Sequence, residues 1–350
     1  MISPGGAIDL RPFRILHYFT GNLYRSLYRM KNAESSPLKK ILLVGDMNVD
    51  MILQGYRSFP APGRETLVND FVMTLGSSTA ITGAGLTRLG HTVAFAGLMG
   101  ADDAGAFCLR RLAALGIDTS RTQVDPGHKT AVTVAISSPD DRSLVTFLGT
   151  IPFLTPAAIP DTYFAGFDHL HSSSYFLQTG MLPDGFADVF RRARQHGLTV
   201  SLDPACDPEL EWKSGLRETL PYVDVFLPNE TELRGVTGEA DPVAGLRALA
   251  GTCGLAVVKL GASGAMALQD GQPVRVRAPA VTPLDPTGAG DNFNSGFLHA
   301  WLEGRALAEA LRLGVACGSF AVRAMGGTGA QATEQEALEL LSAHKEQEQA

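Results

Sequence analysis

Asp285-Pro286-Thr287-Gly288-Ala289-Gly290-Asp291 sets a turn of small residues directly against a carboxylate. A helix that begins at such a turn leaves its first backbone N–H groups without internal partners, and its dipole favours negative charge there. Glycines let that backbone approach a ligand closely. Gly288, Ala289 and Gly290 therefore read as an anion cradle, and Asp291 as an acid held beside it. That pairing suits phosphoryl chemistry with a built-in base. Asp291 as a mere first-turn acid, offsetting the helix dipole, fits this glycine turn poorly. An ordinary Asp, with a pKa of about 3.9, is ionised at neutral pH and needs no tuning to accept a proton.

Other chemistries lack their residues. No Gly-x-x-x-x-Gly-Lys-Ser/Thr occurs, and Gly83-Ala84-Gly85 has no third glycine at the dinucleotide offset. There is no His-Glu-x-x-His and no Gly-x-Ser-x-Gly elbow. The histidines are scattered, and His169 and His171, near a strand end, read as satisfied or solvated rather than catalytic.

The elements that must carry the turn alternate. Ile41–Val44, Thr92–Ala96, Asp168–His171, Leu198–Leu202, Val223–Leu227 and Ala256–Leu260 are short apolar runs of buried-strand type. Helical stretches are expected at Ser77–Leu89, Ala104–Leu115, Phe186–Gln195, Leu210–Leu220 and Val243–Ala250. Ala289–Glu303, Ala306–Ala324 and Glu334–His344 make the last third helical, with a Thr333/Glu336 capping box. Strands alternating with helices predict an α/β fold, a doubly wound, mainly parallel sheet covered by helices on both faces. Two segments break the alternation. About 50–75 carries Pro60 and Pro62 at a turn, and about 130–148 holds two strand-like runs around Ser138-Pro139-Asp140-Asp141. In the first run Val132, Val134 and Ile136 share one face, and Ala131, Thr133 and Ala135 the other. Together these segments predict a small β-sheet lid, and lids exclude water from phosphoryl transfer.

At 350 residues, 45% hydrophobic and 19% charged, the chain can bury a sizeable core. A net charge of −7 argues against a general nucleic-acid or membrane-surface binder. No apolar run reaches the roughly 20 residues needed to span a bilayer. Cys108, Cys206, Cys253 and Cys317 show no C-x-x-C spacing, so free thiols in a reducing cytoplasm are expected. Residues 1–39 form a basic, aromatic extension before a domain over 40–345, and 346–350 a polar tail. A start at Met30 would leave residues 1–29 outside the native protein; a basic amphipathic helix at a membrane or partner surface is the alternative.

Asp285–Asp291 resembles the C-terminal signature of the ribokinase-like (PfkB-type) carbohydrate kinase family. Gly76-Ser77-Ser78 with Arg88-Leu89-Gly90 is similar to its N-terminal signature, and Gly45-Asp46-Met47-Asn48-Val49-Asp50 to its first strand and substrate turn. Pro228-Asn229-Glu230-Thr231-Glu232 resembles its Asn-x-x-Glu motif, and Val258 to Gly264 its nucleotide-binding turn. The five elements occur in the family's order, over roughly Leu42 to Gly329.

The resemblance implies a ribokinase-like fold and an ATP- and Mg²⁺-dependent kinase of a sugar or sugar-like alcohol. It makes Asp291 the general base and the backbone of Gly288, Ala289 and Gly290 the anion hole. Asn229, Lys259, Gly261, Gly264 and Thr287 would line the ATP site, with Glu232 placing Mg²⁺ through water. Two of these have a plainer reading: Asn229 as a helix N-cap, Lys259 as a solvated strand-end lysine. Asp285 lies where some relatives bind a monovalent cation such as K⁺. Asn48, Asp50, Gly76, Ser77 and Ser78 would bind the substrate, with Arg64 or Arg142 available to a phosphorylated sugar. Relatives often carry an asparagine where this chain has Ile81, whose side chain neither donates nor accepts a hydrogen bond. That departure leaves open a nucleoside or a less hydroxylated substrate, and also a non-catalytic sugar-binding regulator that retains the fold. A homodimer through the lid is also implied.

Overall fold

A computed structural model describes residues 38–55, 61–137 and 142–349. The expectations for residues 1–37, for Pro60 and for the Ser138–Asp141 turn lie outside the described residues.

The chain enters on β1 (Lys40–Val44), turns into β2 (Asn48–Gln54) and returns on β3 (Asp70–Leu75). Helix α1 (Ser78–Arg88), β4 (Thr92–Gly100), α2 (Asp103–Ala114) and β5 (Asp118–Asp125) follow, then the hairpin β6 (Ala131–Ser137) and β7 (Arg142–Phe147). Crossovers then link β8 (His169–Ser172), α3 (Gly185–Gln195), β9 (Thr199–Leu202), α4 (Leu216–Thr219), β10 (Val225–Phe226), α5 (Glu230–Thr237), α6 (Pro242–Ala248) and β11 (Leu255–Lys259). A second hairpin, β12 (Ala265–Gln269) and β13 (Gln272–Val276), precedes α7 (Ala289–Leu302), α8 (Leu307–Ala321) and α9 (Glu334–Gln349).

Among the described residues, the main sheet runs β13-β12-β11-β10-β9-β8-β1-β4-β5. Every pairing from β5 to β11 is parallel, and β12 and β13 add an antiparallel edge. After β1 the chain builds outward on one side through β4 and β5, then crosses to β8 on the other. That reversal places a crevice at the carboxyl end of β1, where open α/β sheets bind ligands.

Alternation along β1 splits the core. Ile41 and Leu43 join Phe95, Phe293, Phe297 and Leu311 on one face, and Leu42 and Val44 join Phe186, Phe190 and Phe226 on the other. The small sheet, β3-β2-β6-β7, stands apart, with β2 parallel to β6 and antiparallel to β3. Asp50 lies opposite both Thr74 and Thr133, and Thr133 opposite Thr146, so one face of this sheet is polar.

Four features depart from the sequence expectations. Helix α4 spans only Leu216–Thr219, because Asp207 accepts the amides of Glu209, Glu211 and Trp212 and folds 207–214 into turns. Leu210, Trp212 and Ser214 hold positive φ there. β5 was missed because it is a polar edge strand. The β12–β13 hairpin was missed although Asp270-Gly271, both at positive φ, supplies the tight-turn signal. At the far end α9 continues to Gln349 through what was read as a tail, as its Glu, Gln and Lys residues allow.

Candidate active site

Helix α7 begins at Gly288, whose φ of 76° lies in the left-handed region. An ideal Cβ there would lie 2.4 Å from Gly327 Cα, so the turn requires glycine twice over. No side chain caps this helix start. Ala289 N–H donates to Pro286 O at 3.2 Å, which engages one of the three expected cradle amides within the turn.

Asp291 sits in the first turn of α7, 9% exposed. Burial, reinforced by the charge of Asp203, pushes its pKa up to about 8, while Lys259 and the Ser78 hydroxyl pull it back. An ordinary aspartate was expected from sequence; the correction comes from desolvation, which no local motif records.

Around Asp291 the carboxyl ends of two parallel strands converge. Asp203 follows β9 and Lys259 ends β11; Lys259 Nζ lies 2.5 Å from Asp203 Oδ2. Asn294 Nδ2, one turn along α7 from Asp291, donates to the same oxygen at 2.6 Å, and Ala205 N–H donates to Oδ1 at 3.0 Å. Burial works against both charges, yet proximity wins: Asp203 is held below the usual carboxylate range and Lys259 above its ordinary value. Lys259 is thus no solvated strand-end lysine. An ideal Cβ on Gly290 would lie 3.5 Å from its Nζ, which puts the ammonium beside the Gly288–Gly290 turn. Asp203 and Asn294 were not singled out from sequence; a carboxylate directly after a predicted strand was the available signal.

Asn229 and Glu232 form the capping box of α5. Glu232 N–H donates to Asn229 Oδ1 at 2.9 Å, and Glu232 accepts Asn229 N–H at 2.7 Å and Nδ2 at 2.6 Å. The N-cap reading is therefore realised. Burial and Asp203 raise Glu232 to about 7. Gly261 faces open space, whereas an ideal Cβ on Gly264 would lie 1.9 Å from Val276 O, so Gly264 is required by the β12–β13 hairpin.

A second cluster lies at the end of β1. Asn48 Nδ2 donates to Asp50 Oδ1 at 2.7 Å and to Thr133 Oγ1 at 3.1 Å. Gly76 packs against this pair: an ideal Cβ would fall 2.2 Å from Asn48 Nδ2 and 2.4 Å from Asp50 Oδ1. Ser77, at φ 68°, caps α1 by accepting Ala80 N–H at 3.1 Å and donates to Asp46 O at 2.7 Å. Its hydroxyl is thus engaged in the fold, and Ser78 is the serine beside Asp291. Burial pushes Asp46 up to about 7, against hydrogen bonds from Ser77, Ser174 and Thr79. Ile81, 3% exposed, is wedged beside Gly327 and Gly288.

Asp285 joins two loops, accepting Thr287 N–H at 2.9 Å and Gly326 N–H at 2.8 Å on its two oxygens. His169 and His171 are buried and bonded to Thr199, Ser201 and Ser173, the satisfied state expected of them. Arg64 is exposed. No helix among the described residues is long and apolar enough to cross a membrane.

An open parallel sheet with a small sheet beside its ligand edge, and a buried acid behind a glycine turn, define a small-molecule phosphotransferase of ribokinase-like fold. A solved Escherichia coli structure described as a ribokinase II with ATP and Mg²⁺ matches with a TM-score of 0.78 at 23% identity, over 88% of this chain and 100% of that one. The ribokinase of Haemophilus influenzae is 26% identical over 310 residues, 87% of this chain and 98% of its own. The aminoimidazole riboside kinase of Salmonella typhimurium is 27% identical over 326 residues, 88% and 96% of the two chains. The family model of the pfkB family carbohydrate kinases matches residues 38–334. The chain belongs to that family and is a carbohydrate kinase.

Proposed function

We propose that the protein transfers the γ-phosphoryl group of ATP to a hydroxyl of a small sugar or sugar-like substrate. The observation that carries this reading is Asp291, buried in the first turn of α7 behind the uncapped Gly288–Gly290 turn and beside Lys259. Asp291 takes the acceptor hydroxyl proton as the new O–P bond forms and the bond to the ADP oxygen breaks. The Gly288–Gly290 backbone and Lys259 face the negative charge that moves during transfer. Asp203, Glu232 and Asp291 act on one ammonium, that of Lys259, and the raised pKa values of Glu232 and Asp291 mark two carboxyls whose ionised form a divalent cation would favour. Mg²⁺ would be held through water by Glu232, and when bound it neutralises the phosphates. Asn229, Thr287 and the open Gly261 turn belong to the nucleotide side in this reading, and Asp285 to a monovalent-cation loop.

The substrate rests on Asn48 and Asp50, with the polar face of the small sheet closing over it as a lid. A homodimer through that lid and a cytoplasmic setting go with the reading. One variant, which follows from Ile81 standing where relatives often carry an asparagine, takes a nucleoside or a sugar with an apolar side as the acceptor. A riboside kinase among the relatives supports the same variant.

The test is ADP release with ATP and Mg²⁺ across hexoses, pentoses, keto-deoxy sugar acids, nucleosides and sugar phosphates. Saturable release with one of them is expected; binding without turnover across the panel would favour the non-catalytic regulator. With the acceptor in hand, Gly76→Ala is expected to raise its KM about tenfold or more, since the new Cβ displaces Asn48 and Asp50. KM for ATP should stay within about twofold, because the shelf touches only the acceptor.

A further inference from the structure

We infer that Asn292 is a positioning residue that ties the phosphoryl cradle to the small sheet, so that the sheet's position sets the geometry of the Gly288 turn. The inference rests on the proposed kinase reading. Asn292 follows Asp291 on α7 and is 2% exposed. Its Nδ2 donates to two backbone carbonyls, Gly288 O and Gly327 O, each at 2.9 Å. Its Oδ1 accepts Gln331 Nε2 at 3.1 Å, and the same Gln331 nitrogen donates to Ile81 O on α1 at 3.0 Å. Two carbonyl acceptors on one side and an amide donor on the other fix which way the Asn292 amide points. One buried side chain thus holds the cradle turn, the 326–327 turn and, through Gln331, helix α1.

The 325–328 turn is in turn held by the small sheet. Thr74 Oγ1 on β3 and Thr328 Oγ1 are hydrogen-bonded at 3.3 Å, and Gln54 Nε2 at the end of β2 reaches Met325 Sδ at 2.6 Å. Gly326 packs against Thr74, with an ideal Cβ 2.9 Å from its Cγ2. Gly327 lies flat on Ile81, where an ideal Cβ would fall 2.4 Å from Cδ1. A continuous set of contacts therefore runs from β2 and β3 through this turn to Asn292 and the cradle. Asp285, which accepts Gly326 N–H and Thr287 N–H, fastens the same two loops from the other side. A cradle stabilises charge only where its amides are aimed, and misplacement by about 1 Å can cost on the order of 100-fold in rate.

A double-mutant cycle between Asn292→Ala and Thr328→Val in the full chain tests this. The first readout is MgATP turnover with the acceptor found by the screen, or with water as acceptor if the panel yields none. Asn292→Ala is expected to lower kcat about 10- to 100-fold with KM for ATP within about threefold, the split of a positioning defect. Thr328→Val is expected to lower kcat about two- to fivefold in the parent and to have no further effect beside Asn292→Ala. The second readout is amide hydrogen exchange in the 285–292 peptide, which needs no substrate. Thr328→Val should speed it in the parent and not in the Asn292→Ala background. Effects that simply multiply, or a folded Asn292→Ala with unchanged kcat and unchanged exchange, would overturn the inference. Should Asn292→Ala not fold, Gln331→Leu takes its place, with a smaller loss of kcat expected and an unchanged kcat counting against. No MgATP turnover by the parent with any acceptor or with water would sink the kinase reading while leaving the exchange result standing, so the two failures are separable.

Discussion

Asp291→Asn is expected to lower kcat by about 10²- to 10⁴-fold, the usual cost of losing a general base, in a protein that still folds. Asn keeps the shape of the side chain and removes only its ability to ionise. The pH profile makes the test specific. With its pKa raised to about 8, Asp291 is mostly protonated in the free enzyme at neutral pH. A protonated acid cannot accept the acceptor's proton, so kcat/KM should climb with pH and level off above about 8. The residual activity of Asp291→Asn should lack that limb. Bound Mg²⁺ favours the carboxylate, so the limb in kcat should lie at lower pH than the limb in kcat/KM. Stability should move the other way. An acid whose folded pKa is raised contributes stability below its unfolded pKa, near 4, and that contribution is lost as pH rises through about 8. The unliganded Asn variant should therefore melt no lower than the parent at pH 8.5. A parent-like kcat, or a pH limb that survives in the variant, would move the base elsewhere.

What sequence made legible, and what it hid, follows from how local each requirement is. The Gly288–Asp291 turn could be read because its demands are met within a few residues: a left-handed φ, room for a neighbouring backbone, an acid in the first turn. Asn229 and Glu232 were legible for the same reason, since a capping box spans four consecutive residues. Asp203 was not. Its partners Lys259 and Asn294 lie 56 and 91 residues away, and only the sheet order brings β9 and β11 to either side of β10. The raised pKa of Asp291 was hidden too, because burial belongs to the packing of α7 against α1 and the sheet. The 210–215 segment misled in the opposite sense: its residues suit a helix, but Asp207 captures three amides first. Asn292 looked like one more helix residue, and its use appears only when the 326–327 turn is laid beside Gly288.

Lys259→Met is expected to destabilise the protein by about 3–5 kcal/mol at neutral pH and to abolish most activity. Lys259 Nζ is the cation beside Asp203, and Glu232 and Asp291 also hold it charged. Methionine fills similar space and leaves the buried Asp203 carboxylate with no counter-charge, which costs far more than an exposed ion pair would. The deficit should shrink as pH falls, because Asp203, without Lys259, has only the Asn294 and Ala205 hydrogen bonds to offset its burial and becomes easier to protonate. In the parent the sign is opposite: Asp203, held below its ordinary value, stabilises above about pH 4 and loses that contribution only in stronger acid. Asp203→Asn separates the two roles of the lysine. Added to Lys259→Met, it removes the orphaned charge while keeping a polar group near Asn294, and most of the lost stability should return. Activity should not return with it, because the ammonium beside Gly290 would still be missing from the transferring phosphoryl group. Chemical denaturation of the parent, both single variants and the double variant, with kcat measured on each, checks both halves. If the double variant regains its rate along with its stability, Lys259 serves the fold alone.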